Sequence, residues 1–315
     1  MSGATPSIVV VVGSANVDLV AYLDRAPARG ETVLGRTFTQ SFGGKGANQA
    51  VMAARLGARV AFIGAVGDDG YATEIAARFE AEGVDVTGLE RVPGPSGLAS
   101  IWVELDGTNR IVVIAGANGR VDPAAAAGSI ERLTSVDVVV GQLEIPQAAT
   151  AAAFHAAKVR GATTILNPAP AAPLEPRLLE ASDWLVPNEG ELAELAAGSD
   201  PSSDADLLRY AGTLRAGVVV TLGAAGAALV TRDGVTRVPA PAVAAVDTVG
   251  AGDAFLGAFA VGLALGWAPE DAVRLGIACA SESVTRSGAQ GSFPDRAAAS
   301  ALLAARRPPS RPGRR

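Results

Sequence analysis

Short apolar runs rich in β-branched residues recur along the chain, at 8–12 (IVVVV), 60–64, 136–140, 163–166, 184–186 and 218–222. None shows polar alternation, and each is too short for a helix. That is the pattern of strands buried on both faces of a parallel sheet. Between most of them lie Ala-rich stretches with helical spacing, clearest at 148–159 and 204–214. Strand and helix in alternation predict βαβ units, hence an α/β fold: a doubly wound, mostly parallel sheet flanked by helices. Toward the end, 253–266 and 269–286 predict two packed helices.

Two segments break the rhythm. Residues 20–42 hold short alternating runs interrupted by Pro27 and Gly30, and 99–115 predicts a hairpin turning at Asp106-Gly107. These pieces, near 20–42 and 97–116, are expected to form a small inserted β-sheet that acts as a lid. The simplest organisation is a single domain over 1–305 carrying that lid. A basic Pro/Arg-rich tail follows at 306–315 and is expected to be solvated and disordered.

Composition removes several kinds of chemistry. With 315 residues, 49% of them hydrophobic, the chain can bury a large core without disulfides or metals. The net charge of −6 offers no general attraction to nucleic acid or an anionic membrane. The N-terminus lacks the basic and long apolar regions of a signal peptide, and the 8–12 run is too short to cross a bilayer. A cytoplasmic location is therefore expected, which suits a chain with Cys279 as its one cysteine. Cys279 is expected to be a plain core residue. His155 is the one histidine, so a Ser-His-Asp triad and a multi-histidine metal site are both excluded.

What remains is carboxylates, glycines and a scarce lysine. In 246–255 (VDTVGAGDAF) a Gly-Ala-Gly turn, Gly250, Ala251 and Gly252, runs into an apolar helix. Small residues let consecutive N–H groups converge where the helix adds partial positive charge, which suits an anion hole for a phosphoryl group. Asp253 then stands either as a base for an attacking hydroxyl or as an ordinary helix-capping acid. The 42–50 stretch (FGGKGANQA) also leads glycines into a helix. It is not a Walker loop, because no Ser or Thr follows Lys45. Lys45 and Lys158 are the only lysines, so one set among three glycines reads as a ligand contact against the alternative of a surface charge. Asn16, Asp18, Glu144, Asn188 and Glu191 follow apolar runs, at strand ends where such sheets bind ligands. Each alone could be a cap; together they favour a cleft for vicinal hydroxyls. No G-x-G-x-x-G follows the first run, which disfavours a nicotinamide-dependent oxidoreductase.

Taken in this order, the GGKGAN stretch (43–48) and the DTVGAGD stretch (247–253) resemble the two signatures of the ribokinase family of sugar kinases, the PfkB family. The resemblance runs from about 8 to 294, and NPAP (167–170), GAN (116–118), GQLE (141–144) and TRSGAQ (285–290) are similar to segments of its ribose-phosphorylating members. It implies a ribokinase-like fold and an ATP-dependent kinase that phosphorylates O5 of D-ribose. In that reading Asp253 is the base and Gly250, Ala251 and Gly252 form the anion hole. The sugar is held by Asn16, Asp18, Gly44, Lys45, Gly46, Ala47, Asn48, Glu144 and Asp253. ATP lies along Asn188, Thr221, Leu222, Gly223, Ala224, Ala225, Gly226 and Gly252. Glu191 organises Mg²⁺ carried with ATP. Asp247, Val249, Ser283, Arg286, Gly288 and Ser292 hold K⁺ or another monovalent cation as activator. The lid is expected to pair two copies into a homodimer.

Two positions depart from the family pattern. Ile277 stands where a polar residue can face the adenine, which bears on nucleotide preference, and Ala72 stands where glycine is usual after Asp69. The alternatives are a sister kinase acting on deoxyribose, fructose, another sugar or a nucleoside, and a non-catalytic sugar-binding relative.

Overall fold

The computed structural model describes residues 7–309 apart from 197 and 199. Its strands are β1 (Ile8–Val12), β2 (Asn16–Tyr22), β3 (Thr37–Gly43), β4 (Arg59–Val66), β5 (Val84–Arg91), β6 (Gly97–Val103), β7 (Asn109–Ile114), β8 (Val138–Gly141), β9 (Thr163–Leu166), β10 (Trp184–Leu185), β11 (Gly217–Thr221), β12 (Ala227–Thr231) and β13 (Gly234–Val238). The helices are α1 (Lys45–Arg55), α2 (Gly70–Ala81), α3 (Pro123–Arg132), α4 (Gln147–Val159), α5 (Pro176–Ala181), α6 (Glu189–Leu195), α7 (Asp204–Gly212), α8 (Ala251–Ala264), α9 (Pro269–Ser283) and α10 (Arg296–Arg306).

Nine strands form the main sheet in the order β13-β12-β11-β10-β9-β8-β1-β4-β5. All its pairings are parallel except those of β12 and β13 at one edge. All of β1 is buried because successive side chains enter two different cores. Val9 and Val11 pack toward α1, α2, α8, α9 and α10, while Val10 and Val12 pack toward α3 to α7. From β1 the chain winds outward through β4 and β5, then crosses back to β8 and continues the other way. That reversal beside β1 is the crevice where open α/β sheets bind ligands.

A second, four-stranded sheet has the order β3-β2-β6-β7. The expected hairpin is β6–β7, closed by the Glu104 N–H to Thr108 carbonyl bond of 2.8 Å. Asn16 and Asp18, expected at the end of the first strand, both lie on β2, so the small sheet begins at 16, where its first piece was expected near 20. The reason is the register, which pairs Asn16 with Gly43 on one side and Gly97 on the other.

Strands β5, β12 and β13 were absent from the expected set. The first is a half-exposed edge containing Gly88, and the other two form a tight hairpin through Arg232 and Asp233. Their apolar runs are weak because an edge needs less burial. The expected tail starts inside α10, whose last residue is Arg306, and 310–315 lie outside the described residues.

Candidate active site

The cleft is assembled where α1 and α8 start beside the ends of β1 and β8. Gly44 caps α1 with φ 89°, and a side chain there would press within 2.9 Å of the Asn16 nitrogen and the Ser14 carbonyl. That close approach lets the Ala47 N–H bond the Ser14 carbonyl at 2.9 Å. Glu144, just past β8, accepts the Lys45 backbone N–H at 2.9 Å and the Ser14 hydroxyl. A carboxylate at the first turn of a helix is favoured by the partial charge there. So the three glycines around Lys45 are explained by packing, and Glu144 is fixed at the rim of the cleft.

Asp253 lies in the first turn of α8, with only 8% of its surface exposed. The helix cap is Gly250, in a left-handed conformation at φ 78°, and it supplies no side-chain bond. Asp253 is therefore not a capping acid. Its Oδ2 accepts Asn48 Nδ2 at 2.9 Å and its Oδ1 accepts Gln49 Nε2 at 2.9 Å, both from α1. Asn48 Oδ1 in turn accepts Gln290 Nε2 at 3.1 Å. Burial pushes the Asp253 carboxyl up from its ordinary value, against the pull of Lys45 and the two amide donors.

The Ala251 N–H turns back to the Thr248 carbonyl at 3.2 Å, whereas the Gly252 and Asp253 amides belong to the uncapped first turn. With no side-chain cap on α8, those N–H groups are free for an anion to accept from.

Asp18 faces the same space from β2. Desolvation by burial, then the charges of Glu144 and Asp253, raise its carboxyl to about 7. Asn16 Oδ1 accepts Asn118 Nδ2 at 2.7 Å, and Asn118 Oδ1 accepts the Ala15 N–H at 3.0 Å. Thus Asn16, Asp18, Lys45, Asn48, Glu144 and Asp253 converge, with Gly46 and Ala47 in the floor.

The remaining candidates lie farther along the strand ends. Asn188 caps α6 and forms a reciprocal capping box with Glu191, whose carboxylate accepts the Asn188 N–H at 2.8 Å. Burial raises the Glu191 carboxyl; Lys45 opposes the rise and Asp253 adds to it. A parallel bridge joins Asn188 to Thr221, which leads into the turn of Leu222 and the exposed residues Gly223, Ala224 and Ala225. Leu222 N–H bonds the Gly226 carbonyl at 2.8 Å and closes that turn. No hydrogen bond among the described residues joins this turn to the Asp253 cluster. Ile277 is a buried core residue of α9, and Ala72 is buried in the first turn of α2, where its N–H bonds Asp69 Oδ1 at 3.1 Å. Burial pushes the Cys279 thiol up to about 12, as for an inert core thiol.

Two loops meet at the candidate monovalent-cation site. Asp247 accepts the Val249 N–H at 3.0 Å and the Gly288 N–H at 2.8 Å. The Ser283 carbonyl accepts the Arg286 N–H, the Ser292 hydroxyl donates to the Ala289 carbonyl at 2.8 Å, and Arg286 donates to the Ser292 carbonyl at 2.8 Å. One carboxylate among neutral oxygens fits a weakly hydrated monovalent ion, as carbonyl cages do. For a divalent ion, no group of three or more His, Cys, Asp or Glu side chains is gathered among the described residues. Glu191 alone fits Mg²⁺, which keeps its waters and rides on substrate phosphates.

Sequence reasoning passed over Ser14, Gln49 and Gln142 as site residues. Gln49 follows Asn48 directly, and its signal was only a polar residue at a buried helical position.

Residues 7–296 match the model of the pfkB family carbohydrate kinases. The chain is 42% identical over 296 residues to a ribokinase of Bacillus subtilis, covering 94% of this chain and 99% of that one. It is 38% identical over 297 residues to a deoxyribokinase of Salmonella typhimurium, covering 91% and 95%. Among solved structures, Arabidopsis thaliana ribokinase complexed with ribose and ATP superposes with a TM-score of 0.85 at 32% identity, covering 95% of this chain and 99% of that one.

Proposed function

Since the chain belongs to the pfkB family of carbohydrate kinases, we propose that it transfers the γ-phosphoryl group of ATP to O5 of D-ribose, giving D-ribose 5-phosphate and ADP. The observation that carries this reading is Asp253: a buried carboxylate held by α1 and set beside the uncapped start of α8. The base needs a hydroxyl to deprotonate, and the helix start needs an anion to stabilise. An alcohol attacking a phosphoryl group supplies both.

In this mechanism Asn16, Asp18, Lys45, Asn48 and Glu144 hold the sugar with its O5 toward Asp253, which takes the proton as the bond to phosphorus forms. The Gly252 and Asp253 amides, on the turn shaped by Gly250 and Ala251, receive the charge on the transferred group. Asn188 and the 221–226 turn seat the nucleotide. Bound Mg²⁺ would be positioned through Glu191 and would neutralise charge on the phosphates. A monovalent cation held by Asp247 and the surrounding carbonyls would brace the turn that precedes α8.

The small sheet would close over the sugar as a lid on a single 1–305 domain. The face opposite Asp18 exposes Phe38, Trp102, Val112 and Ile114, an apolar surface that supports pairing of two copies into a homodimer. No described helix is long and apolar enough to cross a membrane. We propose a cytoplasmic location, where sugar and ATP meet.

The test is ADP release with ATP and Mg²⁺ across ribose, deoxyribose, fructose and several nucleosides, with and without K⁺. Turnover is expected to be strongest on ribose and to fall when K⁺ is withdrawn. A higher kcat/KM on deoxyribose, the rival raised by the 38% identical relative, would move the substrate and leave the chemistry in place.

A sharper prediction concerns Gly43. A Cβ there would lie 2.1 Å from Asp18 Oδ2, so alanine must swing that carboxylate out of the cleft. Losing one hydrogen bond to a charged group corresponds to about a 10- to 100-fold rise in KM for the sugar. The KM for ATP should hold. A sugar KM within twofold of wild type would remove Asp18 from the binding set.

A further inference from the structure

The two amide donors on Asp253 differ in what stands behind them. Asn48 points its own oxygen toward Gln290, near the open cleft. Gln49 leads inward. Its Nε2 donates to Asp253 Oδ1 at 2.9 Å, and its Oε1 accepts Gln142 Nε2 at 2.5 Å. Both glutamines are fully buried, at 0% exposure. Three elements are thus threaded by one line of amides, from the end of β8 through α1 to α8.

We propose that Gln142 and Gln49 form a positioning relay that holds the Asp253 carboxylate in its reactive orientation. The inference rests on Asp253 being the base proposed above.

The direction of the relay is dictated rather than optional. An ionised carboxylate only accepts hydrogen bonds, so Gln49 must present its NH₂ group to Asp253. Asn167 imposes the same choice independently. Its Nδ2 is committed to the Val186 carbonyl at 2.9 Å, which leaves its Oδ1 facing Gln49 Nε2 at 3.4 Å. With the NH₂ of Gln49 fixed by two acceptors, its Oε1 must face Gln142 and needs a donor there. Gln142 supplies one and has its own Oε1 left over, a buried oxygen with no partner among the described residues. That oxygen is seated against Gly13, where a Cβ would stand only 2.0 Å away. A buried unsatisfied polar atom is costly and rare, and here it is what the amide order requires.

The relay works among fixed charges. Lys45 favours the ionised form of Asp253, and Glu144 disfavours it. Asp18 and Glu191 share the same field. Without Gln142, the Gln49 Oε1 is left buried with no donor, and relieving that cost draws the Gln49 amide away from Asp253 against its contacts with Asp253 and Asn167. The carboxylate would then lose a donor, rotate more freely and take up a proton more readily.

The experiment compares Gln142→Leu, Gln49→Leu and the double variant. Gln142 touches neither Asp253 nor the sugar site, so a merely structural role would leave the pH profile alone. Gln142→Leu is expected to lower kcat about tenfold, with both KM values within twofold, and to move the acid limb of kcat upward by about half a pH unit. Gln49→Leu should shift the limb by about one unit, and the double variant should be no slower than Gln49→Leu. A folded Gln142→Leu protein with unchanged kcat and acid limb overturns the relay, as does a double variant whose loss is the product of the single losses. Should Gln49→Leu fail to fold, Gln142→Leu decides alone. The side-chain amide resonance of Gln49 separates this idea from the assignment of the base. It must move in both Gln142→Leu and Asp253→Asn, whatever the turnover of the latter. A resonance that stays put overturns the relay even if Asp253→Asn is inactive.

Discussion

Replacing Asp253 with Asn is expected to lower kcat by about a thousandfold while the affinity for sugar stays within a few fold of wild type. The side chain keeps its shape but can no longer take a proton. Its environment makes the substitution informative. The carboxylate is buried, and both oxygens already accept amide N–H groups from α1, so water has little room to substitute as base. Steady-state kinetics paired with calorimetric titration of ribose measures the two effects separately. A kcat within tenfold of wild type would remove Asp253 as the base. Loss of sugar binding alongside turnover would instead mark it as a structural tie between α1 and α8.

The second large effect belongs to Gly250. Its φ of 78° costs about 1–2 kcal/mol for any residue with a Cβ. An added Cβ would also stand 3.0 Å from the Ala289 Cα and 3.0 Å from the Phe293 ring. Alanine therefore strains the turn before α8 and pushes on the 286–292 loop, where Arg286, Gly288 and Ser292 lie. Gly250→Ala is expected to lower kcat about a hundredfold, in the range of losing one preorganised donor to developing charge. The concentration of K⁺ for half-activation should rise in the same variant, because the proposed cation loop and the proposed anion hole meet at this contact. Kinetics at graded K⁺ concentrations reads both numbers. If neither moves, the turn around Gly250 has no part in holding charge.

Much of the fold is legible in the sequence. The uninterrupted IVVVV run marked a strand buried on both faces, and its residues do divide between two cores. The small second sheet was legible as a break in the βαβ rhythm. Asp253 was only half legible, because an acid in a helix's first turn looks the same whether it caps or reacts. The difference lies in Asn48 and Gln49, some 200 positions away in sequence, and no local pattern reports that pairing. The β12–β13 hairpin was missed because an edge carries a weak apolar signature. Asn16 and Asp18 were read as cleft residues at the end of the first strand, but the strand that carries them was not read, since it pairs with segments far along the chain.

That placement has its own consequence. β2 begins in the cleft with Asn16 and Asp18 and runs outward to Tyr22, bonded along its whole length to β3 and β6. A hydrogen-bonded ribbon transmits displacement, so whatever grips its inner end also tilts its outer face. In the lid closure proposed above, occupancy and closure would become a single thermodynamic variable. Turning a mostly open population of 1:99 into a mostly closed one of 99:1 takes about 5.5 kcal/mol of preference for the closed form. Every hydroxyl that contributes to that preference also shuts solvent out of the phosphoryl path. A sugar lacking one of them would be penalised twice, by weaker grip and by a cover that rests ajar. Discrimination among pentoses would thereby be stored in the mechanics of a strand.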